Sequence, residues 1–447
     1  MKPEFQSRRL FGITRAKGKM YEFGLPESSH ITVPADVEPA ALFLLTVGTL
    51  GDAAAAVSDA EQADMALGQT AVDELGFSAS FFDAFLASRF SEEVSQDVML
   101  LAASAYYLAG RPGSSLVLAS RLGQPVDESA VENFLRWALQ AQWANYPGRS
   151  HPLFGDALTD VARLLAFHFH DGSGSETLPA ELDRLRRKAY AGASARDLLF
   201  IDIAAAVVRM RLAVSSWNLL HGFTKIPIEK WASVIQRPEF PKEMWPSQVL
   251  LGQAGVFAGA SAVIQMPTSA GKTRSVEIAL RSGFLSGRAR LAVVVAPFRA
   301  LCHEIGTSLR HAFKLDNVKV NELSDALQLD FLDQIAELLG SEIPSSQSVL
   351  VLTPEKLLYV LRQAPALVKE VGIVVYDEGH QFDTGSRGIT YELLLTEIKA
   401  LLPATAQTIL VSAVIRNAEA VGNWLVGEAV KVVNGSGLLS IPVQRDR

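Results

Sequence analysis

The amino-acid sequence reads as an α/β doubly wound parallel sheet preceded by an all-α domain of helical hairpins. Three observations predict this. Up to about residue 236, alanine- and leucine-rich stripes recur at helical period. Beyond it, short Val/Ile/Leu runs alternate with helical segments, the pattern of a parallel sheet covered on both faces. Between one such strand and one such helix lies a phosphate-binding loop (P-loop), Met266-Pro267-Thr268-Ser269-Ala270-Gly271-Lys272-Thr273.

The helical half is read as Pro39–Val57, Glu61–Leu75, Ser80–Arg89, Val94–Ala109, Gly113–Arg121, Glu128–Trp143, Asp156–His168, Pro179–Ala191 and Ala195–Leu220. Gly and Pro punctuate most junctions, as in Gly110-Arg111-Pro112-Gly113. Residues 102–122 resemble one hairpin of a tetratricopeptide-type array, without a sustained repeat period. Pro238, Pro241 and Pro246 break the pattern and mark a domain entrance, so residues 1–236 are expected to form an accessory domain and 237–447 a nucleotide-binding domain. Strands are predicted at Ala262–Met266, Leu291–Ala296, Val318–Val320, Ser348–Thr353, Gly372–Asp377, Thr408–Ser412 and Val430–Val433.

A chain of 447 residues is long for one domain, and 49% hydrophobic against 20% charged residues supports sizeable cores. With 41 Lys+Arg against 48 Asp+Glu the net charge is −7, so nucleic acid would be met by a local groove rather than a global basic field. The single cysteine, Cys302, excludes an internal disulfide and is expected to be a small buried residue in a reducing compartment. The basic N-terminus lacks a following apolar core and cleavage site, and the apolar stretch Ala40–Val57 is interrupted by Gly48, Gly51 and Asp52. No secretory leader or bilayer span is therefore expected, and a cytoplasmic location is.

The loop sits where its chemistry needs it. Backbone N–H groups at a helix N-terminus curl around phosphates, Lys272 supplies an ammonium, and the Thr273 hydroxyl can ligate magnesium. Met266 stands where the strict loop pattern has glycine. A second constellation, Asp377-Glu378-Gly379-His380, ends the apolar run Ile373-Val374-Val375-Tyr376. A carboxylate there can hold the cation through water, and the adjacent Glu378 can orient and deprotonate an attacking water.

The order of motifs from about Trp245 to Leu425 resembles a superfamily 2 helicase of the DExH type. The resemblance implies a first RecA-like lobe that binds ATP and Mg2+. Trp245-Pro246-Ser247-Gln248 resembles the adenine-sensing element, making Gln248 the reader of the base. Ala296-Pro297-Phe298-Arg299-Ala300-Leu301 and Thr353-Pro354-Glu355-Lys356-Leu357 are similar to the nucleic-acid-contacting motifs, which puts Arg299 and Thr353 on the backbone of DNA or RNA. Ser412-Ala413-Val414 resembles the motif that couples hydrolysis to strand movement. Gly385-Ser386-Arg387-Gly388 with Glu392, and Asn417 followed by Trp424-Leu425, point to the Ski-like branch.

The resemblance sets the remaining expectations. Pro267 to Thr273 hold the nucleotide with His380 nearby, Lys272, Asp377 and Glu378 are catalytic, and Thr273 and Asp377 hold the metal. The second lobe of this class supplies arginines to the transferring phosphoryl group, and it does not fit within residues 426–447. The chain alone is therefore expected to turn over ATP poorly; Arg416 stands too near the first lobe's own sheet to substitute. Partners implied are nucleic acid, a second RecA-like lobe and a protein on the helical domain, without a membrane. A rival reading is a nucleotide-switched interaction subunit, as in bacterial antiphage systems such as Hachiman that pair a Ski-like helicase with a nuclease. A P-loop kinase is disfavoured by the DExH-type tetrad.

Other signals favour ordinary roles. His168 and His170 do not share a helix face and suit a helix end rather than a metal site. Arg184, Arg186, Arg187 and Lys188 suit a solvated face. Arg8, Arg9, Arg15, Lys17 and Lys19, interleaved with Phe11 and Tyr21, fit a nucleic-acid arm or a flexible tail equally well.

Overall fold

A computed structural model describes residues 5–31, 39–88, 95–123, 129–144, 146, 148, 150–267, 270–322, 347–363, 365–380, 385–415, 417–435 and 438. Contacts divide the chain into two compact units between Asn218 and Leu219, upstream of the boundary expected at 236/237.

The first unit is helical. Its central helix, Ala195–Ala213, packs against Pro39–Asp59, Ala130–Gln140 and Leu178–Gly192 and is buried from Phe200 to Val208. A helix buried all round needs partners for any charge it carries. Asp202 accepts from Arg186 Nε and Tyr190 Oη, both at 2.8 Å, and Arg186 also reaches Asp59 at 2.6 Å. Arg186 is thus a buried structural cation rather than part of a solvated face; Arg184 beside it pairs with Glu181 at the surface.

Several helix boundaries differ from expectation. Residues 61–88 give one helix, Gln69–Ala87, after a short 3-10 turn at Ala63–Met65, because Gly76 through Ala79 pack into the core instead of turning, and Arg89 lies outside the described residues. The helix read as Ala195–Leu220 ends at Ala213 and restarts at Ser216; the Ser215 hydroxyl accepts from Asn218 N and pairs with His168. The N-terminal basic segment is a helix, Phe5–Glu22, docked through Leu10, Phe11 and Gly18 on Gln69–Ala87. The hairpin Ser95–Leu108/Pro112–Arg121 turns at Gly110, whose φ of 72° suits glycine. One described helix, Ala41–Asp59, is long and apolar enough to cross a membrane, contrary to expectation. Yet Leu42, Leu50, Ala53, Ala54 and Val57 on it belong to the helical core.

The second unit holds seven parallel strands among the described residues: β1 Ala262–Gln265, β2 Leu291–Val295, β3 Val318–Glu322, β4 Gln347–Leu352, β5 Val371–Tyr376, β6 Gln407–Ser412 and β7 Lys431–Asn434. Their order is β3-β4-β2-β5-β6-β1-β7. Alternate residues face opposite sides. Val293, Val295, Leu350, Leu352, Val374 and Tyr376 pack on the helices Pro354–Gln363, Gly385–Leu401 and Ala418–Leu425. On the other side Ile373 presses on Gly283 of the helix Lys272–Leu285, where an added Cβ would lie 2.2 Å from its Cδ1. The sheet is doubly wound, as the sequence predicts.

His168 is wholly buried, with Nε2 2.9 Å from Ser215 Oγ, and burial lowers its pKa from 6.5 to about 4. His170 instead lies at the surface beside Asp171, so the two histidines point apart. A depressed histidine pKa stabilises the fold above pH 6.5 and loses that contribution as pH falls toward 4. In urea unfolding, His168→Gln should lose ~2–3 kcal/mol less than wild type between neutral pH and pH 4. Identical pH slopes in the two proteins would contradict this assignment.

Candidate active site

Because every strand is parallel, the carboxyl ends lie along one edge, and the expected site residues come directly after those ends. Backbone bonds fix the levels. Met266 N donates to Ser412 O at 2.9 Å, Ala296 N to Leu352 O at 3.2 Å, and Asp377 N to Val295 O at 2.9 Å. The loop after β1 and the carboxylates after β5 are separated only by β6, about 10 Å across two strand spacings. Lys272 closes that gap: its Nζ lies 3.3 Å from Glu378 Oε1, with Lys272 8% exposed.

The loop is fixed from three sides. Gly271 takes φ 84°, left-handed backbone that a side chain would strain, and starts the helix Lys272–Leu285. Ser247 Oγ donates to Ala270 O at 2.5 Å. Gln248 is buried, accepts from Trp245 N at 2.8 Å, and has its Nε2 3.5 Å from where a Cβ on Gly271 would stand. Gln248 thus braces the loop. Thr273 is exposed at the helix start, Met266 is fully buried, and Pro267 is half-buried. Thr268 and Ser269 lie outside the described residues.

The acidic turn is strained and desolvated. Glu378 sits at φ 52°, a left-handed conformation that a non-glycine residue holds at a cost of order 1–3 kcal/mol. Its N–H donates to Asp377 Oδ1 at 2.9 Å, and His380 Nδ1 lies 3.2 Å from its Oε2. Gly379 leaves no room for a side chain, since a Cβ would meet Leu410 at 2.8 Å. Burial holds the Asp377 carboxyl above its usual range. The Glu378 N–H lowers it, the Glu378 carboxylate raises it, and the Lys272 ammonium lowers it. A cation at this carboxylate would offset that penalty. Among the described residues no group of three or more His, Cys, Asp or Glu could hold a metal ion. One hydroxyl and one carboxylate fit magnesium, which keeps waters and takes phosphate oxygens.

Arg299 is exposed at the start of the helix Arg299–Ala312, one residue past Phe298. Thr353 is 9% exposed between β4 and the helix Pro354–Gln363. Ser412 is buried, its hydroxyl donates to Val414 O at 3.3 Å, and Val414 is exposed, with Ala413 half-buried between them. Cys302 is fully buried, with burial pushing its thiol up to about 11. Arg416 and the side chains of Gly385, Ser386 and Arg387 lie outside the described residues.

Three contacts escape sequence reasoning. Ser247 pins the loop, Gln265 Nε2 donates to Ile415 O, and Tyr391 Oη donates to Pro297 O at 2.9 Å. Ser247 stood inside a recognised motif; Gln265 and Tyr391 carried no signal. The Lys272–Glu378 pair is testable in the ligand-free protein. A double-mutant cycle of Lys272→Met and Glu378→Gln in urea should give a coupling of ~1 kcal/mol. A coupling indistinguishable from zero would show that the contact contributes nothing.

Residues 248–421 match the family model of the DEAD/DEAH box helicase. The chain is similar to Hachiman protein HamB of Bacillus cereus, 32% identical over 164 residues, 36% of this chain and 14% of that protein. It is also similar to the ATP-dependent DNA helicase Hel308 of Thermococcus kodakarensis, 29% identical over 201 residues, 45% of this chain and 16% of that protein. The chain thus spans about a seventh of the length of these relatives. The solved structure of the DUF1998 helicase MrfA bound to DNA aligns over 47% of this chain and 30% of that one, at 20% identity and TM-score 0.39. Residues 248–421 are therefore similar to a DEAD/DEAH box helicase domain.

Proposed function

We propose that residues 237–447 form the ATP-binding lobe of an ATP-dependent nucleic-acid helicase or translocase, with residues 1–236 as its accessory domain. The observation that carries this reading is the Lys272–Glu378 contact, which joins the phosphate loop and the DExH-type carboxylates at one sheet edge. In this reading Pro267 to Thr273 cradle the phosphates, Gln248 lies at the base, and His380 flanks the site. Magnesium, when held by Thr273 and Asp377, would supply positive charge to the β and γ phosphate oxygens.

Each residue then has a defined task. Lys272 moves from the Glu378 carboxylate to the phosphates and neutralises their charge. The freed Glu378 orients water and takes its proton. Ser412, Ala413 and Val414 relay occupancy of the loop, a role supported by the Met266–Ser412 and Gln265–Ile415 bonds. Arg299 and Thr353 hold the backbone of DNA or RNA without reading sequence. A second RecA-like lobe completes the phosphoryl site.

Finer assignments belong to this proposal too. The Ski-like branch is supported by Gly385-Ser386-Arg387-Gly388, Glu392 and Asn417. A cytoplasmic location fits the single buried thiol. The similarity to HamB favours an alternative in which the helical half docks a nuclease or another defence partner and the nucleotide lobe acts as a switch.

Glu378→Gln separates the two readings. In an assembly holding both lobes it should lower nucleic-acid-stimulated ATP hydrolysis by about 100-fold or more while sparing ATP binding. Full partner function in that variant would favour the switch over the motor.

A further inference from the structure

The helix Phe5–Glu22 carries a charge pattern unlike the rest of its unit. Arg8, Arg9, Arg15, Lys17 and Lys19 face a single acid, Glu22, so the helix has net charge +4 in a chain of −7. From Phe5 to Tyr21 it contains no acid at all, whereas a solvated helix face interleaves both signs. Three other exposed arginines in this unit are neutralised: Arg163 by Asp160 at 3.0 Å, Arg184 by Glu181 at 2.7 Å, and Arg196 by Asp97 and Glu132 at 3.0 and 2.7 Å. Arg8, Arg9 and Arg15 are exposed and have no ion-pair or hydrogen-bond partner among the described residues.

Docking of the helix fixes where these charges point. Leu10, Thr14 and Gly18 are buried, so the opposite face looks to solvent. At 100° per residue, Arg8, Arg15 and Lys19 fall in one stripe on one flank of that face, and Arg9 lies on its other flank, about 100° round the helix from Arg8. At 1.5 Å per residue the stripe is about 16 Å long. Gly12 lies within it, and a Cβ there would meet nothing within 4 Å, which leaves a flat seat between Arg8 and Arg15. Lys19 is already held by Glu22 at 2.8 Å, so the three arginines are the uncommitted donors.

We infer that this stripe is a second nucleic-acid contact that grips the phosphodiester backbone, apart from Arg299 and Thr353. The inference rests on the reading that the protein acts on nucleic acid. Arginine forks match phosphate oxygens, and a contact of this kind adds affinity without sequence preference. The helix is a fixed rail on the helical unit rather than a loose tail, so its contribution comes without an ordering cost.

The test uses the full chain and fluorescent oligonucleotides, single-stranded and duplex, with anisotropy followed through a potassium chloride series. Arg8→Ala/Arg9→Ala/Arg15→Ala should bind about tenfold more weakly, with the slope of log affinity against log salt reduced by about 2. Arg163→Ala/Arg184→Ala, which removes paired cations from the same unit, should leave affinity and slope near wild type. Since the three arginines are exposed and unpaired, thermal melting of the triple variant should match wild type. Unchanged affinity and slope in the triple variant would overturn the inference while leaving the helicase reading intact. So would equal losses in the control variant, or loss of binding only to phosphatidylserine vesicles. Failure of the wild-type chain to bind any oligonucleotide would instead remove the helicase reading on which the inference rests.

Discussion

One constraint organises the second unit: among the described residues, seven parallel strands bring their carboxyl ends to a single edge, and the buried Lys272 spans part of that edge. Parallel pairing fixes the register: Gln265 stands opposite Ser412, and Val295 opposite both Leu352 and Tyr376, while Tyr376 stands opposite Leu410, two residues before β6 ends. Met266 and Ala296, just beyond two of these ends, are buried, whereas the segments that follow β1 and β5 meet through Lys272 and Glu378. Lys272 is too buried to go unpaired, and its neutralising partner is Glu378.

The first unit solves a related problem with different means. Its central helix is buried on all sides, and the charges it carries are satisfied inside the unit, Asp202 by Arg186 and Tyr190, Arg211 by Leu139 O. Such a network makes the position of Leu178–Gly192 specific, because breaking one partner leaves the other buried and unpaired. His168 belongs to this interior. Its imidazole stays neutral beside Ser215, and acid is therefore expected to loosen this unit.

The placement of the loop after β1 and of the acidic turn after β5 was legible in the sequence because each directly follows a buried apolar run. The strands around them were legible because buried parallel strands are nearly continuous Val, Ile and Leu. The role of Arg186 was not, since Asp59 stands 127 residues away in the chain. The long helix Gln69–Ala87 was hidden because Gly76 reads as a turn, yet it is the space that Arg111 fills, 3.1 Å from an added Cβ. Gln248 accepts from Trp245 N and stands beside Gly271, a placement that its motif alone does not reveal. Tyr391 and Gln265 act through single hydrogen bonds to distant carbonyls, which no local pattern encodes.

The most direct test is a crystal structure of the chain with magnesium and a non-hydrolysable ATP analogue. Lys272 Nζ should leave Glu378 for the β and γ phosphate oxygens, with the Thr273 hydroxyl on the metal and Asp377 reaching it directly or through water. A nucleotide bound away from this edge, or one bound with Lys272 still on Glu378, would contradict the account.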